Sequence, residues 1–514
     1  MPRSLGRRTF LKMVAAGIAG AAASRWGGAA RAAAPKKPNV LLIMADDLNT
    51  ALSGYGHPQC RTPNLDRLAS RGVSFVRAYT QFTLCGPSRA SLMSGRYPLS
   101  TGIRGNGGRL PDACMTLPAL FRANGYWTGR VSKIYHMGVP GNIFTGDDGP
   151  DHAPSWIERY NVSAMETLSP GKAEDVMLAD STHLYADLRK KWPACRHKGG
   201  KFMISGGNHQ GSDFVIVEAD GGDDVMADGM AATKGVELLR ERAKAGGPFF
   251  LAVGFVRPHV PLVAPREAFD GYEVSEMQLA PVPEGDLADI PQAAQGNTNA
   301  RKYKMDEEAQ RKTLRGYYAA IHYMDSQVGR LLDELDRLGL TDNTICVFAS
   351  DHGYHLGEHT MWQKMSLMEE SVRVPLIVAA PGRPVRNARC KRLVELLDVY
   401  PTLAALAGLE TPPGLQGRSF AGLLDDPDVP HTRKDAFTDV GRGFSLRTEK
   451  WAYMEYGAKG KKAGKPAEVA AMLYDMQADP KQYTNLSGKP EYAEVEQALR
   501  ERLHARIEAA KRGP

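Results

Sequence analysis

Cysteine is scarce in this chain: Cys60, Cys85, Cys114, Cys195, Cys346 and Cys390 are the six among 514 residues. No C-x-x-C occurs and no cysteine shares metal-ligand spacing with histidine, which argues against a structural zinc module. Disulfide pairing cannot be read from the spacings, although an oxidising compartment would permit it. Long hydrophobic runs are lacking too. The N-terminal "MVAAGIAGAAAS" is too short and too weakly apolar to span a bilayer stably. There is no lysine or arginine block of the kind a polyanion binder carries. The formal charge of +7 arises mostly in residues 1–34, which hold Arg3, Arg7, Arg8, Lys12, Arg25 and Arg31 and no acid. Without those six, 59 basic residues face 58 acidic ones, so no nucleic-acid partner is expected.

What is present is ordinary globular composition, 43% hydrophobic and 24% charged, long enough for one large domain and a smaller one. "GRRTFLK" is a twin-arginine pattern, and "ARAAAPKKP" offers small-residue cleavage sites before Pro35. Residues 1–34 are therefore expected to be a signal peptide read by the twin-arginine (Tat) export machinery. That places the mature protein in the periplasm or outside the cell, with no stable membrane span after cleavage.

Four apolar runs read as buried strands: "NVLLIMA" from Asn39, "PFFLAVGF" from Pro248, "TICVFAS" from Thr344 and "VPLIVAA" from Val374. Between them, Leu314, Tyr318, Ile321, Met324, Val328, Leu331, Leu335 and Leu338 recur at helical spacing, predicting a helix from about 309 to 338 that stops at Gly339 and "TDN". Alternating strands and helices predict an α/β sandwich with a largely parallel sheet. Composition breaks near "DDPDVPHTRKD", so 35–430 is expected to form the catalytic domain and 431–514 a small α+β subdomain ending in a helix from about Glu491. Residues 199–224 and 273–304 read as irregular loops, the second a possible pocket rim.

In such sheets ligands sit beyond the carboxyl ends of strands. There the chain places Asp46-Asp47, Asp351-His352-Gly353, Arg257 and His259 in "VRPHVP", and Lys133 and His136 at the end of "YWTGRVSKIYH". Three carboxylates so close would repel unless a cation lay between them. Oxygen ligands suit calcium or magnesium, and the imidazole would also accept zinc or manganese.

"LCGPSRASLMSG" resembles the sulfatase signature, in which the cysteine of a Cys-x-Pro-x-Arg frame is oxidised after translation to formylglycine. The similarity extends through "KPNVLLIMADDLN", "TPNLDRLASRGVSF", "DHGYHLGEHTMWQK" and "LYDMQADPKQYTNL". "PFFLAVGFVRPHVPLVAPREAFD" and "SDHGYHLGEH" are most similar to the iduronate-2-sulfatase branch. The resemblance implies an alkaline-phosphatase-like sandwich, a mixed and mostly parallel sheet between helices. It implies calcium (magnesium or another divalent ion in its stead) held by Asp46, Asp47, Asp351 and His352 with the modified Cys85. The aldehyde would sit as a gem-diol, one hydroxyl attacking sulfur. Arg89 would hold the diol and the carboxylates, Lys133 and Lys364 would bind sulfate oxygens, His259 would protonate the departing sugar oxygen, and His136 would take a proton from the remaining hydroxyl. A formylglycine-generating enzyme becomes an expected maturation partner and a sulfated glycan the expected substrate, the iduronate-2-sulfatase-like segments favouring a 2-O-sulfated uronic acid.

One position departs from the family pattern: Ser132 stands where glycine is usual before the lysine, and a positive φ there would strain it. Arg257 is a candidate for a uronate carboxylate, His355 for the pocket lining and Trp362 for a sugar-facing wall, with a core position the plainer expectation for Trp362. His359 reads as a structural histidine. Two other functions fit the same motifs: a phosphodiesterase or phosphonate ester hydrolase on this scaffold, or a non-catalytic metal-binding glycan receptor that keeps its thiol.

Overall fold

The apolar run that opens the described chain is the middle of the protein. The computed structural model describes residues 37–512 apart from 140, 165, 167–168, 170, 177–213, 296–304 and 458–468. The expected leader, Cys195 and parts of both expected loops lie outside the described residues. Strand β1 (Asn39–Asp46) is buried along its whole length. Val40, Leu42 and Met44 pack into one core, and Leu41, Ile43 and Ala45 into another on the opposite face. A strand with helices over both faces needs such a continuous apolar run.

The main sheet adds β2 (Val73–Phe75), β3 (Trp127–Ser132), β4 (Glu158–Tyr160), β5 (Phe249–Pro258), β6 (Thr344–Ser350), β7 (Leu376–Ala379) and β8 (Ala388–Cys390), in the order β8–β2–β7–β6–β1–β5–β3–β4. From β6 to β4 every neighbour is parallel, whereas β7 runs antiparallel to β6 and β2. The fold is the alkaline-phosphatase-like sandwich, with a mixed, mostly parallel sheet. The register sets Ala45 beside Ser350 and Ser132 beside Gly254, so β1, β5, β6 and β3 deliver their carboxyl ends to one place.

Helix α1 (Cys85–Ser94) packs Ala90, Leu92 and Met93 into one core. Helices α2 (Ala227–Ala245) and α3 (Glu307–Arg337) cover the other face with Leu238, Leu239, Val328 and Leu331. Asp306 caps α3 by accepting from the Ala309 amide at 2.8 Å. Past its end Gly339 adopts φ 64°, the left-handed conformation that suits glycine. A smaller antiparallel sheet, β9 (Ala436–Asp439), β10 (Gly443–Arg447), β11 (Trp451–Gly457) and β12 (Val469–Asp475), follows, with helix α4 (Ala493–Arg512) packed on it.

One expectation changes and another holds. Val215–Ala219, inside the stretch read as loop, is a strand paired with Leu262–Pro265 and Gly171–Asp175. Its "VIVEA" pattern was masked by the surrounding glycines and aspartates. In the other loop, Gln278, Leu279, Ala280 and Pro281 do line a cavity, shared with His57, Glu358 and Lys481 rather than with Cys85. The five described cysteines are all free.

Ser132 ends β3 at φ 58°, and its buried hydroxyl has no hydrogen-bond partner among the described residues. A left-handed L-residue costs about 1–2 kcal/mol. Ser132→Gly should therefore raise the denaturant midpoint of unfolding, a gain of about 1 kcal/mol once glycine's extra chain entropy is deducted; a lower midpoint would contradict this. Arg433 is buried and pairs with both Asp398 and Glu395, which are themselves fully buried. Arg433→Ala leaves Asp398 without its cation and Glu395 with only the more distant Arg506 at 3.9 Å, and the same measurement should show a loss of roughly 3–5 kcal/mol.

Candidate active site

Leu84 is extended, at φ −148° and ψ 138°, and Cys85 is the first residue of α1, all ten residues of which are buried. The helix's amide end and its partial positive charge therefore face the carboxyl ends of the strands. Gly86 is required there: a Cβ would stand 2.7 Å from the Asn106 Cα, and the Gly86 amide donates to Asn106 Oδ1 at 2.9 Å. Arg89 follows Cys85 by one helical turn, which puts both on the same side of α1.

The Arg89 guanidinium is fully buried. Nε donates to Asp351 Oδ2 at 2.9 Å; Nη2 donates to the Ala45 carbonyl at 2.9 Å and Asp46 Oδ1 at 3.1 Å; Nη1 donates to the Lys133 carbonyl. One side chain thus ties the ends of β1, β6 and β3 together. Ser88, a variable position of the Cys-x-Pro-x-Arg frame, donates its hydroxyl to the Asp351 carbonyl and accepts from Thr80 Oγ1.

Around this arginine the charges alternate. Lys133 Nζ contacts Asp46 Oδ2, and Lys364 Nζ meets the two Asp47 oxygens at 2.7 and 2.9 Å. Lys364 Nζ also lies 3.4 Å from Cys85 Sγ and 3.2 Å from His259 Nε2. The His352 Nδ1–H donates to the Gly353 carbonyl at 3.0 Å, which turns Nε2 toward Cys85 Sγ at 3.3 Å and Asp47 Oδ1 at 3.2 Å. Asp47, at φ 62°, donates its amide to Asp351 Oδ1.

Burial pushes the Asp46 carboxyl upward, but Lys133, His259, Arg89 and Lys364 overcome it and hold Asp46 well below the usual carboxylate value. Asp47 is lowered in the same way against burial, by His259, Lys364 and His352. Burial leaves Asp351 raised in spite of Arg89. Burial and Asp46 drive the Cys85 thiol well above its ordinary value. His259 falls to about 3 and His136 to about 2, burial being the first cause for each, so both rings are neutral at neutral pH.

Donor atoms of Asp46, Asp47, Cys85 and His259 lie within 4.8 Å of one another, and so do those of Cys85, Asp351 and His352. Three buried carboxylates with imidazole form a mainly oxygen donor set that fits a hard divalent cation. His136 stands at the edge. Its charged neighbours are Lys133, Asp46, Arg89 and Lys364, and its Nδ1 is buried without a hydrogen-bond partner among the described residues.

Two candidate pocket residues, Arg257 and His355, are elsewhere, and Trp362 sits in the core as its plainer expectation had it. Arg257 is 1% exposed, and its guanidinium is committed to Glu166 and to the carbonyls of His259 and Pro261, so it cannot meet a substrate carboxylate. His355 is closed inside the protein, both ring nitrogens unpaired among the described residues. Trp362 is a core residue, edge-on to Phe214. His359 is buried with Nδ1 3.0 Å from Asp286. Sequence reasoning missed Tyr317, whose hydroxyl donates to the Asp47 carbonyl at 2.7 Å and accepts from the Asn49 amide at 3.1 Å. Its neighbour Tyr318 carried the helical stripe, and nothing local marks Tyr317 as different.

Comparison with known proteins agrees with this geometry. The sulfatase family model matches residues 38–409, and one described as N-sulphoglucosamine sulphohydrolase, C-terminal, matches residues 357–509. Iduronate 2-sulfatase of Mus musculus is 32% identical over 426 residues, 74% of this chain and 71% of that protein. A sulfatase of Formosa agariphila is 30% identical over 484 residues, 90% of this chain and 86% of that protein. Among solved structures, the phosphonate monoester hydrolase of Agrobacterium radiobacter shares the fold at a TM-score of 0.70 and 24% identity, over 92% of this chain and 96% of that one. The strand-end carboxylates, the buried arginine and the cysteine at the head of its helix thus belong to an enzyme that hydrolyses sulfuric esters, and the chain is a member of the sulfatase family.

Proposed function

We propose that this sulfatase removes sulfate from a sulfated glycan, with a 2-O-sulfated uronic acid as the preferred residue, after export by the twin-arginine route. The observation that carries the site assignment is the placement of Cys85. It heads a buried helix, with His352 Nε2, Lys364 Nζ and Asp47 Oδ1 at 3.3, 3.4 and 3.8 Å from its sulfur. The uronate preference rests on the likeness to iduronate 2-sulfatase, and export on the twin-arginine leader.

Cys85 would be oxidised by a formylglycine-generating enzyme, and the hydrated aldehyde would supply the nucleophile toward sulfur. Asp46, Asp47, Asp351 and His352, with residue 85, would hold calcium, which supplies Lewis-acid polarisation of a sulfate oxygen. Lys133 and Lys364 bring two ammonium groups to the same point and would bind sulfate oxygens as charge develops on them. Arg89 keeps the carboxylates at their stations. His259 donates Nδ1–H to the Val260 carbonyl at 2.5 Å, which leaves Nε2 facing the site. There it lies 3.2 Å from the Lys364 ammonium, and a ring protonated at that nitrogen would pass its proton to the departing oxygen. Neutral His136 suits the complementary role of base.

Three measurements test this reading. Protein made with a formylglycine-generating enzyme should yield a residue-85 peptide lighter by the exchange of sulfur for oxygen and the loss of two hydrogens; an unmodified thiol in active protein would sink the nucleophile. The same protein should release sulfate from a glycosaminoglycan disaccharide ending in 2-O-sulfated iduronate, and Cys85→Ala should not. Faster turnover of a phosphonate monoester or phosphodiester would instead favour the hydrolase reading of the same scaffold. Chelation with EDTA should abolish turnover and calcium should restore it; activity that survives exhaustive chelation would remove the metal from the scheme.

A further inference from the structure

We propose that Arg257 is a positioning residue that aims His259, and that it acts through a buried ion pair with Glu166; this rests on the reading of His259 as the acid that protonates the leaving oxygen. Arg257 lies near the end of β5, two residues before His259. Its guanidinium donates to the His259 carbonyl at 2.7 Å and to the Pro261 carbonyl, gripping the turn as the chain leaves the histidine. The other arm pairs with Glu166, whose side chain is 4% exposed.

Neither partner is free to drift. The second Glu166 oxygen accepts the amide of Ala227, the first residue of α2, at 2.8 Å. The next residue, Asp228, is buried and accepts the amides of Val256 and Arg257 at 2.6 and 3.1 Å. The first turn of α2 therefore fixes the backbone leading into His259 through Asp228 and the backbone leaving it through Glu166 and Arg257. The ring follows that backbone, because its Nδ1–H is bonded to the Val260 carbonyl within the same turn. A planar fork reaching two carbonyls and a carboxylate at once is a task for arginine; a lysine ammonium keeps the charge but not the geometry.

The test uses the formylglycine-containing enzyme and the ratio of two rates, kcat on an alkyl sulfate over kcat on 4-nitrophenyl sulfate. An alkoxide needs a proton to depart, whereas a nitrophenolate hardly does, and the ratio cancels any difference in the modified fraction. Misplacing a catalytic group by an ångström can cost about 10²-fold. Arg257→Lys should lower the ratio by about that factor, and Glu166→Gln should lower it in the same direction; Glu166→Gln decides the matter should Arg257→Lys not fold. His259→Gln is the reference. If it lowers the ratio and the other two variants do not, or if they reduce both rates equally, the positioning role is overturned and the acid stands. If His259→Gln leaves the ratio unchanged, His259 is not the acid and the positioning proposal falls with it.

Discussion

Three carboxylates lie out of water at the carboxyl ends of two neighbouring strands, and the buried Arg89 guanidinium makes that arrangement tolerable. An ion removed from water loses several kcal/mol of solvation unless its partners replace the lost contacts. Arg89 does so with carboxylates of Asp46 and Asp351 and with carbonyls from β1 and from the end of β3. Its own charge is secured in return: burial opposes it, and Asp351 and Asp46 raise its pKa beyond the ordinary value. The four-residue interval between Cys85 and Arg89 follows from this. The arginine must reach the strand ends from the same side of α1 that presents residue 85, and one helical turn is the interval that does it.

Electrostatic balance extends outward from that point. Asp46, Asp47 and Asp351 face Arg89, Lys133 and Lys364, three charges against three. A divalent cation added to a site so balanced gives it a positive surplus, which a sulfate ester can offset. The backbone carries part of the cost. Asp47, Ser132, Gln363 and Met365 hold positive φ and each is, or adjoins in sequence, a proposed site residue, and His359 and Thr360 hold it as well in the turn that precedes Lys364. Non-glycine residues persist in that region only where the surroundings over-determine them. Here the surroundings include the Lys133–Asp46 and Lys364–Asp47 pairs and the His359–Asp286 pair.

Much of this was legible in the sequence because the information is local. β1, β5 and β6 are continuous apolar runs, their polar ends follow directly, and the Cys-x-Pro-x-Arg frame spans five residues. The long helix was read to within two residues at its start. What escaped was what depends on burial or on distant partners. Arg257 looks like a substrate ligand until Glu166, 91 residues earlier, takes its charge. His355 carries a ring that could meet a sugar, and only packing turns it inward. β7 is as apolar as the parallel strands β1, β5 and β6, and nothing in its composition announces an antiparallel strand. The expected strain at Ser132 was the exception, because the family pattern named the residue type that should have stood there.

The C-terminal sheet matters to the proposed chemistry more than its small size implies, since Lys364 depends on it. The segment after Lys364 has little regular structure of its own, and its polar groups are met from β10 and β11 and the turn before β10. Arg442 donates to the Met365 carbonyl at 3.0 Å, the Leu367 amide donates to the Tyr456 hydroxyl at 3.0 Å, and Arg447 donates to the Leu367 carbonyl at 2.6 Å. Met361, Leu367 and Met368 pack in one cluster with Ala452, Met454, Tyr456 and Met472. Arg447 also pairs with buried Glu369 at 2.8 Å. An ammonium placed within 3 Å of a buried carboxylate needs a backbone that does not move. That rigidity comes from a sheet whose strands lie about seventy to one hundred and ten residues further along the chain, so removing the C-terminal strands would release a residue of the candidate site rather than trim an appendage.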